Sequence, residues 1–389
     1  MKGFNYYQPT RLVFGAGRRS EVGALAREIA DSALFVVGAT LRKAAGDKVD
    51  EVLGSLAAAG VEVTLFTEVI PNPTLDAIQR GAEVARAAGV TSVIGMGGGS
   101  AIDTAKAIAV AATHPGTAWD YLYFKEPPTS ATLPILAIPT TSGTGTQTSK
   151  VSVFTNTDEN CKSAMWNDNL LCRAAVIDPE LMLTLPASVT AATGFDIFTH
   201  TFESYINRGA SEAVDTLALD AINRVVRSLP IAVADGSNLA AREDLAWADT
   251  LAGQCLANVG TTLPHAAGQP ISGHFHHVSH GESLAVIYPA FAEFTWRGAV
   301  AKFATVARMF NPELQSRPDE AAAEAFAGEI ELFLKVIGLY RRMEDFGITP
   351  EDIPPILKHA MEFPDSQGNP VVPTEADMRE IYMKSFRAA

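Results

Sequence analysis

Short β-rich runs alternate with helical patterns through the first half of the chain, and this alternation constrains the fold more than any other feature. The β-rich runs lie at 34–37, 61–66, 90–95, 133–138, 151–154 and 174–177. Helical patterns lie at 53–59, 75–88 and 101–112, and the first two stop at a glycine. Strands separated by such helices are typical of a parallel sheet with helices on its faces. We therefore predict an α/β domain over residues 1–185.

The second half of the chain has a different pattern, in which β-rich runs nearly vanish after Pro186. Helical patterns lie at 187–205, 211–229, 240–259, 300–310 and 319–339. A chain of 389 residues with 47% apolar residues has enough material for two cores. The predicted fold class is α/β plus all-α, with an all-helical domain over residues 186–389.

The charge and cysteine content exclude several classes of partner. A formal net charge of −14 repels nucleic acid phosphates and anionic membranes. The sequence contains no run of 18 apolar residues that could span a membrane. The first ten residues lack the apolar core of a signal peptide. Three scattered cysteines (Cys161, Cys172 and Cys255) do not form a disulfide framework. We expect a cytoplasmic protein without a nucleic acid or membrane partner.

A glycine-rich loop follows the β-rich run that ends near 95, within VIGMGGGSAIDTAK at 93–106. Glycines allow the backbone to approach a phosphate, and the first N–H groups of the following helix favour negative charge. Ser100 is expected to cap that helix, with Asp103 three residues later in a capping-box-like spacing. The loop contains GxG but not the full GxGxxG fingerprint, so a tight strand–helix turn without a ligand is the alternative.

A second loop, IPTTSGTGTQT at 138–148, also follows an apolar run and is crowded with small hydroxyl side chains. Such a loop can offer backbone and hydroxyl donors to a ribose or a phosphate. Two loops of this kind at the ends of neighbouring strands indicate one extended ligand, and a dinucleotide is a ligand of that kind.

The histidines are clustered rather than scattered, since six of the eight lie at 200 and between 265 and 280. Asp196 and His200 are four residues apart in a helical segment, so they lie on one face and can share a metal. A plain Asp–His hydrogen bond in a polar patch is the alternative for this pair.

The segment 263–283 offers two further candidate ligands, His265 and His280, on either side of Gly268 and Pro270. We expect these two residues to turn the chain, so that the two histidines converge. One carboxylate with three imidazoles suits iron(II) or zinc and leaves room for an outside oxygen. His274, His276 and His277 are expected either to surround the site or to lie in a solvated loop.

These motifs together resemble the iron-containing (group III) alcohol dehydrogenase family over almost the whole chain. The shared segments are QPTRLVFGAG, PNPT, GGGSAIDTAKAIA, IPTTSGTGT, IDPELMLTLP, GFDIFTHTFES, GTTLPHAAGQP, VSHGESLAVIYP and TEADMREIY. The resemblance implies a dinucleotide-binding α/β domain followed by a helical domain, as in dehydroquinate synthase. It also implies a homodimer or a higher homo-oligomer.

The family's functional positions transfer to this chain by motif. The implied metal ligands are Asp196, His200, His265 and His280. The implied cofactor contacts are Asn72, Gly97, Gly98, Gly99, Ser100, Asp103, Thr140, Thr141, Thr144, Lys162 and Leu181. Many members carry a second histidine four residues after the one matching His265, where this chain has Gln269. Its absence leaves the proton route open and makes His276 or His277 candidate proton carriers.

Gly38 follows the first predicted strand, at a position where NAD-preferring members of the family often have aspartate. Arg42 and Lys43 lie just beyond it. A missing carboxylate with two nearby cations favours a 2′-phosphate, so NADP is expected in preference to NAD. The alternative is that the two cations only solvate the start of a helix.

The predicted function is therefore the metal-dependent, NAD(P)-linked interconversion of a small primary alcohol and its aldehyde or ketone, with Fe2+ or Zn2+ as the metal. The alternatives on the same fold are a lyase like dehydroquinate synthase and a reductase of dicarboxylic keto acids such as maleylacetate. Both need cations for an anionic substrate. The chain has no lysine between Lys162 and Lys302, which weakens both alternatives.

Overall fold

The computed structural model describes residues 3–159 and 161–387, which form two compact units. The α/β unit consists of Tyr7–Leu185 together with Ser237–Ala246. The helical unit consists of Pro186–Gly236 and the chain from Trp247 onward, together with the described residues before Tyr7. Two short segments therefore group differently from the two continuous domains that the sequence predicts.

The predicted parallel sheet is confirmed, and six strands of the α/β unit form it. They are β1 (Arg11–Phe14), β2 (Ser32–Val37), β3 (Glu62–Phe66), β4 (Val93–Gly97), β5 (Ile135–Pro139) and β8 (Ala174–Ile177), of which β1 was not predicted. Their order across the sheet is β1-β8-β5-β4-β2-β3, and every neighbouring pair runs parallel. Because β4 and β5 are neighbours, the two candidate cofactor loops that follow them start side by side.

The β-rich run at 151–154 is a strand, but it lies outside the parallel sheet. It forms β6 (Val151–Asn156), which pairs antiparallel with β7 (Cys161–Trp166). Alternate residues of β6 are buried, whereas all of β4 and β5 are buried. The difference is physical, since a strand of a covered parallel sheet is buried on both faces and a hairpin strand on one.

The sheet is covered by helices on both faces. The helices of this part of the chain are α1 (Val22–Ile29), α2 (Ala39–Ala44), α3 (Gly46–Ala58), α4 (Leu75–Ala88) and α5 (Gly99–Ala111). Along β2, Leu34 and Val36 belong to one apolar core with α4 and α5. Phe35 and Val37 belong to a second core with α1 and α3. This alternation follows from the two-residue period of a strand.

Helices make up most of the second half of the chain. They are α6 (Ala187–Ile206), α7 (Glu212–Ala234), α8 (Leu239–Asn258), α9 (Leu263–His274), α10 (His280–Thr295), α11 (Val300–Phe310), α12 (Asp319–Val336), α13 (Ile353–Glu362) and α14 (Glu375–Lys384). The helical unit has an aromatic core in which Phe202 stacks on Phe326, with ring centroids 4.7 Å apart. Among the described residues, no helix is both long and apolar enough to cross a membrane.

The expectation that Gly268 and Pro270 turn the chain is wrong, because both lie inside α9. The chain turns between α9 and α10 instead. A Cβ atom on Gly268 would lie 2.7 Å from Leu284 Cδ2 on α10. A Cβ atom on Gly281 would lie 2.2 Å from the backbone oxygen of Ala192 on α6. These glycines therefore let three helices approach one another closely, where a side chain would hold them apart.

Candidate metal centre and cofactor loops

Helix α6 is buried over most of its length and carries a polar face. Phe195, Phe198 and Phe202 enter the aromatic core of the helical unit. Asp196 and His200 lie four residues apart on another face, and both are about 95% buried (3% and 5% exposed). Buried polar groups are costly unless they are paired or bind an ion, so this face calls for a partner.

Three histidines converge on one oxygen of Asp196. The Nε2 atoms of His200 and His265 each lie 3.8 Å from Asp196 Oδ1, and Nε2 of His280 lies 3.7 Å from the same oxygen. The ligand atoms of Asp196, His265 and His280 all lie within 4.8 Å of one another. Ligands about 2.1 Å from a tetrahedral ion are about 3.4 Å apart, so the arrangement needs little adjustment to hold one.

The chemical state of His265 also fits a metal ligand. Its Nε2 atom is buried and has no hydrogen-bond partner among the described residues. Burial lowers the pKa of this imidazole, although the charges of Asp196 and Asp365 oppose the shift. A neutral imidazole with an unused nitrogen facing a carboxylate and two other imidazoles is what a divalent metal requires. The residues present therefore fit an iron or zinc ion.

Glu203, which the sequence analysis did not single out, lies behind His265. It is fully buried, and its Oε1 atom lies 2.8 Å from His265 Nδ1. Its Oε2 atom accepts hydrogen bonds from the backbone N–H of Thr262 at 2.8 Å and from the Thr262 hydroxyl at 3.3 Å. Burial raises the pKa of Glu203 to about 8, and the bonds from Thr262 oppose the shift. Its spacing of seven residues from Asp196 is the sequence signal that could have found it.

Two further polar side chains lie near this carboxylate. Asp365 accepts a hydrogen bond from the hydroxyl of Thr261, and burial raises the pKa of its carboxyl group. The hydroxyl of Tyr288 is buried and has no hydrogen-bond partner among the described residues. Burial and the charges of Glu203 and Asp196 raise the pKa of Tyr288. The candidate metal centre therefore has the buried side chains of Glu203 and Tyr288 and the half-buried carboxyl group of Asp365 near it.

The other histidines of the loop lie at or near the surface. His274 ends α9, and its Nε2 atom lies 3.0 Å from Nδ1 of His359. His277 is exposed, and its Nε2 atom lies 3.0 Å from the backbone oxygen of Phe346. His276 is exposed as well. The role of His276 and His277 as proton carriers stays a prediction.

In the α/β unit, the glycine-rich loop joins β4 to α5. The N-cap of α5 is Gly98, and no side chain caps the helix, so the expected capping role of Ser100 and Asp103 is wrong. Ser100 lies inside the first turn. Gly97 has a φ of 153°, and a Cβ atom there would lie 2.6 Å from Ala101 Cβ. An uncapped helix start after close-packed glycines is a ready anion-binding site.

The threonine-rich loop packs directly on the glycine-rich loop. The N–H of Thr140 donates to the oxygen of Gly97 at 2.9 Å. A Cβ atom on Gly98 would lie 3.2 Å from Thr141 Cγ2, and one on Gly99 would lie 2.5 Å from Thr144 Cγ2. The two loops that the sequence predicts to share a ligand are therefore in contact.

Asp103 holds the threonine-rich loop rather than the helix start. Its carboxylate accepts hydrogen bonds from the Thr146 hydroxyl at 2.6 Å and from the N–H of Val153 at 3.0 Å. Burial raises the pKa of Asp103, and the nearby charge of Lys106 opposes the shift. The ammonium group of Lys106, which is fully buried, donates to the oxygens of Ser149 and Val151.

The remaining predicted cofactor residues also lie in the α/β unit. Lys162, on β7, donates to the side-chain oxygen of Asn72 at 3.0 Å. Leu181 is buried in the core on one face of the sheet. Gly38 is the N-cap of α2, and a Cβ atom there would meet Val69 at an ordinary 3.6 Å. Packing therefore does not require glycine at position 38.

Comparison with known proteins identifies the same family over both halves of the chain. A model described as iron-containing alcohol dehydrogenase matches residues 9–179, and one for the C-terminal part of the Fe-containing alcohol dehydrogenase family matches residues 190–386. The long-chain-alcohol dehydrogenase 1 of Geobacillus thermodenitrificans is 36% identical over 87% of this chain and 86% of its own length. The NAD-dependent methanol dehydrogenase of Bacillus methanolicus is 32% identical over 97% and 98%. The crystal structure of an archaeal alcohol dehydrogenase from a Red Sea brine pool matches with a TM-score of 0.93 at 31% identity, covering 99% of this chain and 100% of that chain.

Proposed function

The chain belongs to the iron-containing alcohol dehydrogenase family and is an oxidoreductase that acts on the CH–OH group, and from this premise we propose the residues, cofactor and substrate class of its reaction. The proposed metal ligands are Asp196, His200, His265 and His280. The observation that carries this proposal is the convergence of three Nε2 atoms on one oxygen of Asp196. The family relationship favours this function over the lyase alternative.

The proposed metal is iron, with zinc accepted by the same ligands. When bound, the ion supplies a Lewis acid that polarises an alcohol or aldehyde oxygen, and the nicotinamide supplies the hydride chemistry. Asp196 contributes negative charge to the site, and the three histidines contribute neutral nitrogens. His276 and His277 are proposed to carry the released proton to solvent, since both are exposed.

The proposed dinucleotide site combines Gly97, Gly98, Gly99 and Ser100 with Thr140, Thr141 and Thr144, and with Asn72, Asp103, Lys162 and Leu181. The uncapped start of α5 supports pyrophosphate binding, because its first N–H groups and the helix dipole favour negative charge. We propose NADP in preference to NAD. Gly38 leaves room for a 2′-phosphate, and Arg42 lies one turn into the helix that Gly38 caps.

The proposed substrate is a small, uncharged primary alcohol or the matching aldehyde. Two acidic groups lie near His265. Glu203 Oε1 is 2.8 Å from its Nδ1 atom, and the charge of Asp365 acts to raise its pKa. The segment from Gln254 to Phe294 contains no lysine or arginine. Apart from the proposed metal, an anionic substrate would therefore meet acidic groups with no compensating lysine or arginine from this segment. The named relatives act on long-chain alcohols and on methanol, which are also uncharged. A cytoplasmic homodimer or higher homo-oligomer completes the proposal.

The test is an absorbance assay at the reduced-nicotinamide band with a panel of primary alcohols and both dinucleotides. The protein is purified without oxygen, and Fe2+ is removed with a chelator and then restored. We expect activity that depends on added metal and is lost in Asp196→Ala and His265→Ala. His274→Asn is the matched control, since His274 lies on the same helix as His265 but outside the proposed ligand set. Full turnover of His265→Ala without metal would overturn the proposal.

A further inference from the structure

Two hydrogen-bond donors and one imidazole nitrogen surround the carboxyl group of Glu203. The N–H and the hydroxyl of Thr262 donate to one oxygen, and Nδ1 of His265 lies 2.8 Å from the other. Thr262 is the N-cap of α9, and His265 lies in the first turn of that helix. Glu203 itself lies on α6, which also carries Asp196 and His200. One buried side chain thus connects the helix of two proposed ligands to the helix of a third.

The identity of the buried residue is informative. Glu203 is fully buried, and an ionised carboxylate is expensive to bury unless donors surround it. A carboxylate accepts from several donors and donates none, whereas a glutamine amide of the same size has two N–H donors and a single acceptor oxygen. The backbone N–H of Thr262 can only donate. An amide whose oxygen accepts from Thr262 must present an N–H to His265, whereas a carboxylate can accept at both oxygens.

The carboxylate also decides which nitrogen of His265 carries the proton. A neutral imidazole has one N–H and one lone pair, and the hydrogen bond at one nitrogen fixes the state of the other. If Nδ1–H donates to Glu203, Nε2 keeps its lone pair, and Nε2 is the atom that faces Asp196 Oδ1 at 3.8 Å. With Glu203 ionised, the proposed metal ligand is thus held in the only tautomer that can bind metal through Nε2.

We propose that Glu203 is a positioning residue of the metal centre, which sets the tautomer and the ring orientation of His265. The inference rests on the proposed metal-binding function. A carboxylate bonded to the outer nitrogen of a ligating histidine raises its basicity, and loss of such a partner typically weakens metal binding about 10- to 100-fold. A purely structural alternative is that Glu203 only caps the start of α9.

The experiment measures Co2+ affinity of the full-length apoprotein by competition with a chromophoric chelator, together with the cobalt absorption spectrum. In Glu203→Gln, an amide oxygen turned toward Thr262 presents an N–H to His265 Nδ1 and forces the proton onto Nε2. We expect Co2+ binding about 10- to 100-fold weaker than in the wild type, with a changed spectrum. Asp377→Asn is the matched control, because Asp377 caps α14 through Thr374 and is not among the residues around His265. That control should lower the melting temperature and leave Co2+ affinity unchanged.

Wild-type affinity and spectrum in Glu203→Gln would overturn the proposal, as would equal weakening in Asp377→Asn. A wild-type protein that does not bind Co2+ would instead overturn the metal site itself, so the two failures are distinguishable. If Glu203→Gln does not fold, zinc-loaded wild-type protein labelled with 15N-histidine gives a second measurement. The signal that disappears in His265→Asn must then be a slowly exchanging Nδ1–H, and a signal from Nε2–H would refute the assignment.

Discussion

Replacing Gly99 with alanine will weaken dinucleotide binding, because the two candidate cofactor loops meet at this residue. The new Cβ atom would lie 2.5 Å from Cγ2 and 2.9 Å from Oγ1 of Thr144. Real Cβ atoms do not come this close to other heavy atoms, so the side chain of Thr144 or one of the loops must shift. The backbone of Gly99 is helical, and its φ is not positive, so alanine itself brings no backbone strain there. The expected effect therefore comes from the displacement of Thr144 or its loop alone.

Overpacking of this kind costs about 1–3 kcal/mol. At about 1.36 kcal/mol for each factor of ten, the KM for the dinucleotide should rise about 5- to 160-fold. Since the loops are proposed to contact the cofactor rather than the alcohol, kcat with saturating cofactor should change much less. Steady-state kinetics with varied NAD and NADP measure both parameters, and direct titration of the dinucleotide by fluorescence provides an independent dissociation constant.

Two matched variants make the prediction sharp. Thr144→Ser removes Cγ2, so the double variant Gly99→Ala with Thr144→Ser should recover part of the lost affinity. Gly54→Ala lies on an exposed face of α3, where a Cβ atom meets nothing within 4 Å. It should leave the KM unchanged and stabilise the helix by up to about 1 kcal/mol. A folded Gly99→Ala protein with an unchanged KM would refute the reasoning, and so would a double variant with no recovery.

Four further predictions follow from the same structure. Gly38→Asp should lower kcat/KM for NADP relative to NAD by about tenfold or more, because like charges 4 Å apart near a protein surface repel by roughly 4 kcal/mol before screening by salt. Saturating Zn2+ at about 100 times its dissociation constant should stabilise the apoprotein by about 2.7 kcal/mol in a thermal melt, and Asp196→Ala should abolish that shift. Gly281→Ala should lower both the melting temperature and Co2+ affinity, whereas Gly273→Ala, whose Cβ atom meets nothing within 4 Å, should do neither. Hydrogen bonds from Thr374, the N-cap of α14, lower the pKa of Asp377. The stabilisation that Asp377 gives is therefore present above about pH 3.8 and lost as the pH falls through the lowered pKa. In urea unfolding, Asp377→Asn should lower the free energy of unfolding by about 1 kcal/mol at pH 7 and by less below pH 3.

The parallel α/β architecture could be predicted because its four central strands, β2, β4, β5 and β8, are buried on both faces. Such strands appear in the sequence as continuous apolar runs, and the predicted bounds of β8 are those of the structure. The predicted bounds of the helix α4 also agree with the structure. The missed strands have weaker patterns. β1 has four residues and begins with the exposed Arg11, and β7 begins and ends with exposed residues. Arg11 on β1 pairs with Ala174, which lies 163 residues away. Paired residues of the β6–β7 hairpin lie about ten residues apart on average. The residues of a strand do not by themselves indicate which strand it pairs with.

Two of the proposed metal ligands, Asp196 and His200, could be predicted from their spacing on α6, but the helices α9 and α10 could not be predicted. Their segment is rich in glycine, proline and histidine, which are poor helix formers in isolation. Tertiary packing decides the outcome here. Pro264 lies in the first turn of α9, where its missing N–H costs nothing, and burial of Leu263 and Ile271 stabilises the helix. A reading based on intrinsic propensity necessarily assigns such a segment to a turn.

The sequence suggests that the glycines of this region form turns, but in the structure Gly268 and Gly281 lie inside helices where two helices pack closely. Gly281, which follows His280, lies in the first turn of α10 against the backbone of Ala192 rather than in a bend of the chain. His280 reaches Asp196 because α10 can approach α6 this closely, and Glu203 fixes His265 because the start of α9 also meets α6. The ligand set therefore depends on helix-to-helix distances. A sequence can indicate which residues bind the metal, but the groups that hold those residues in place become visible only when the helices are packed together.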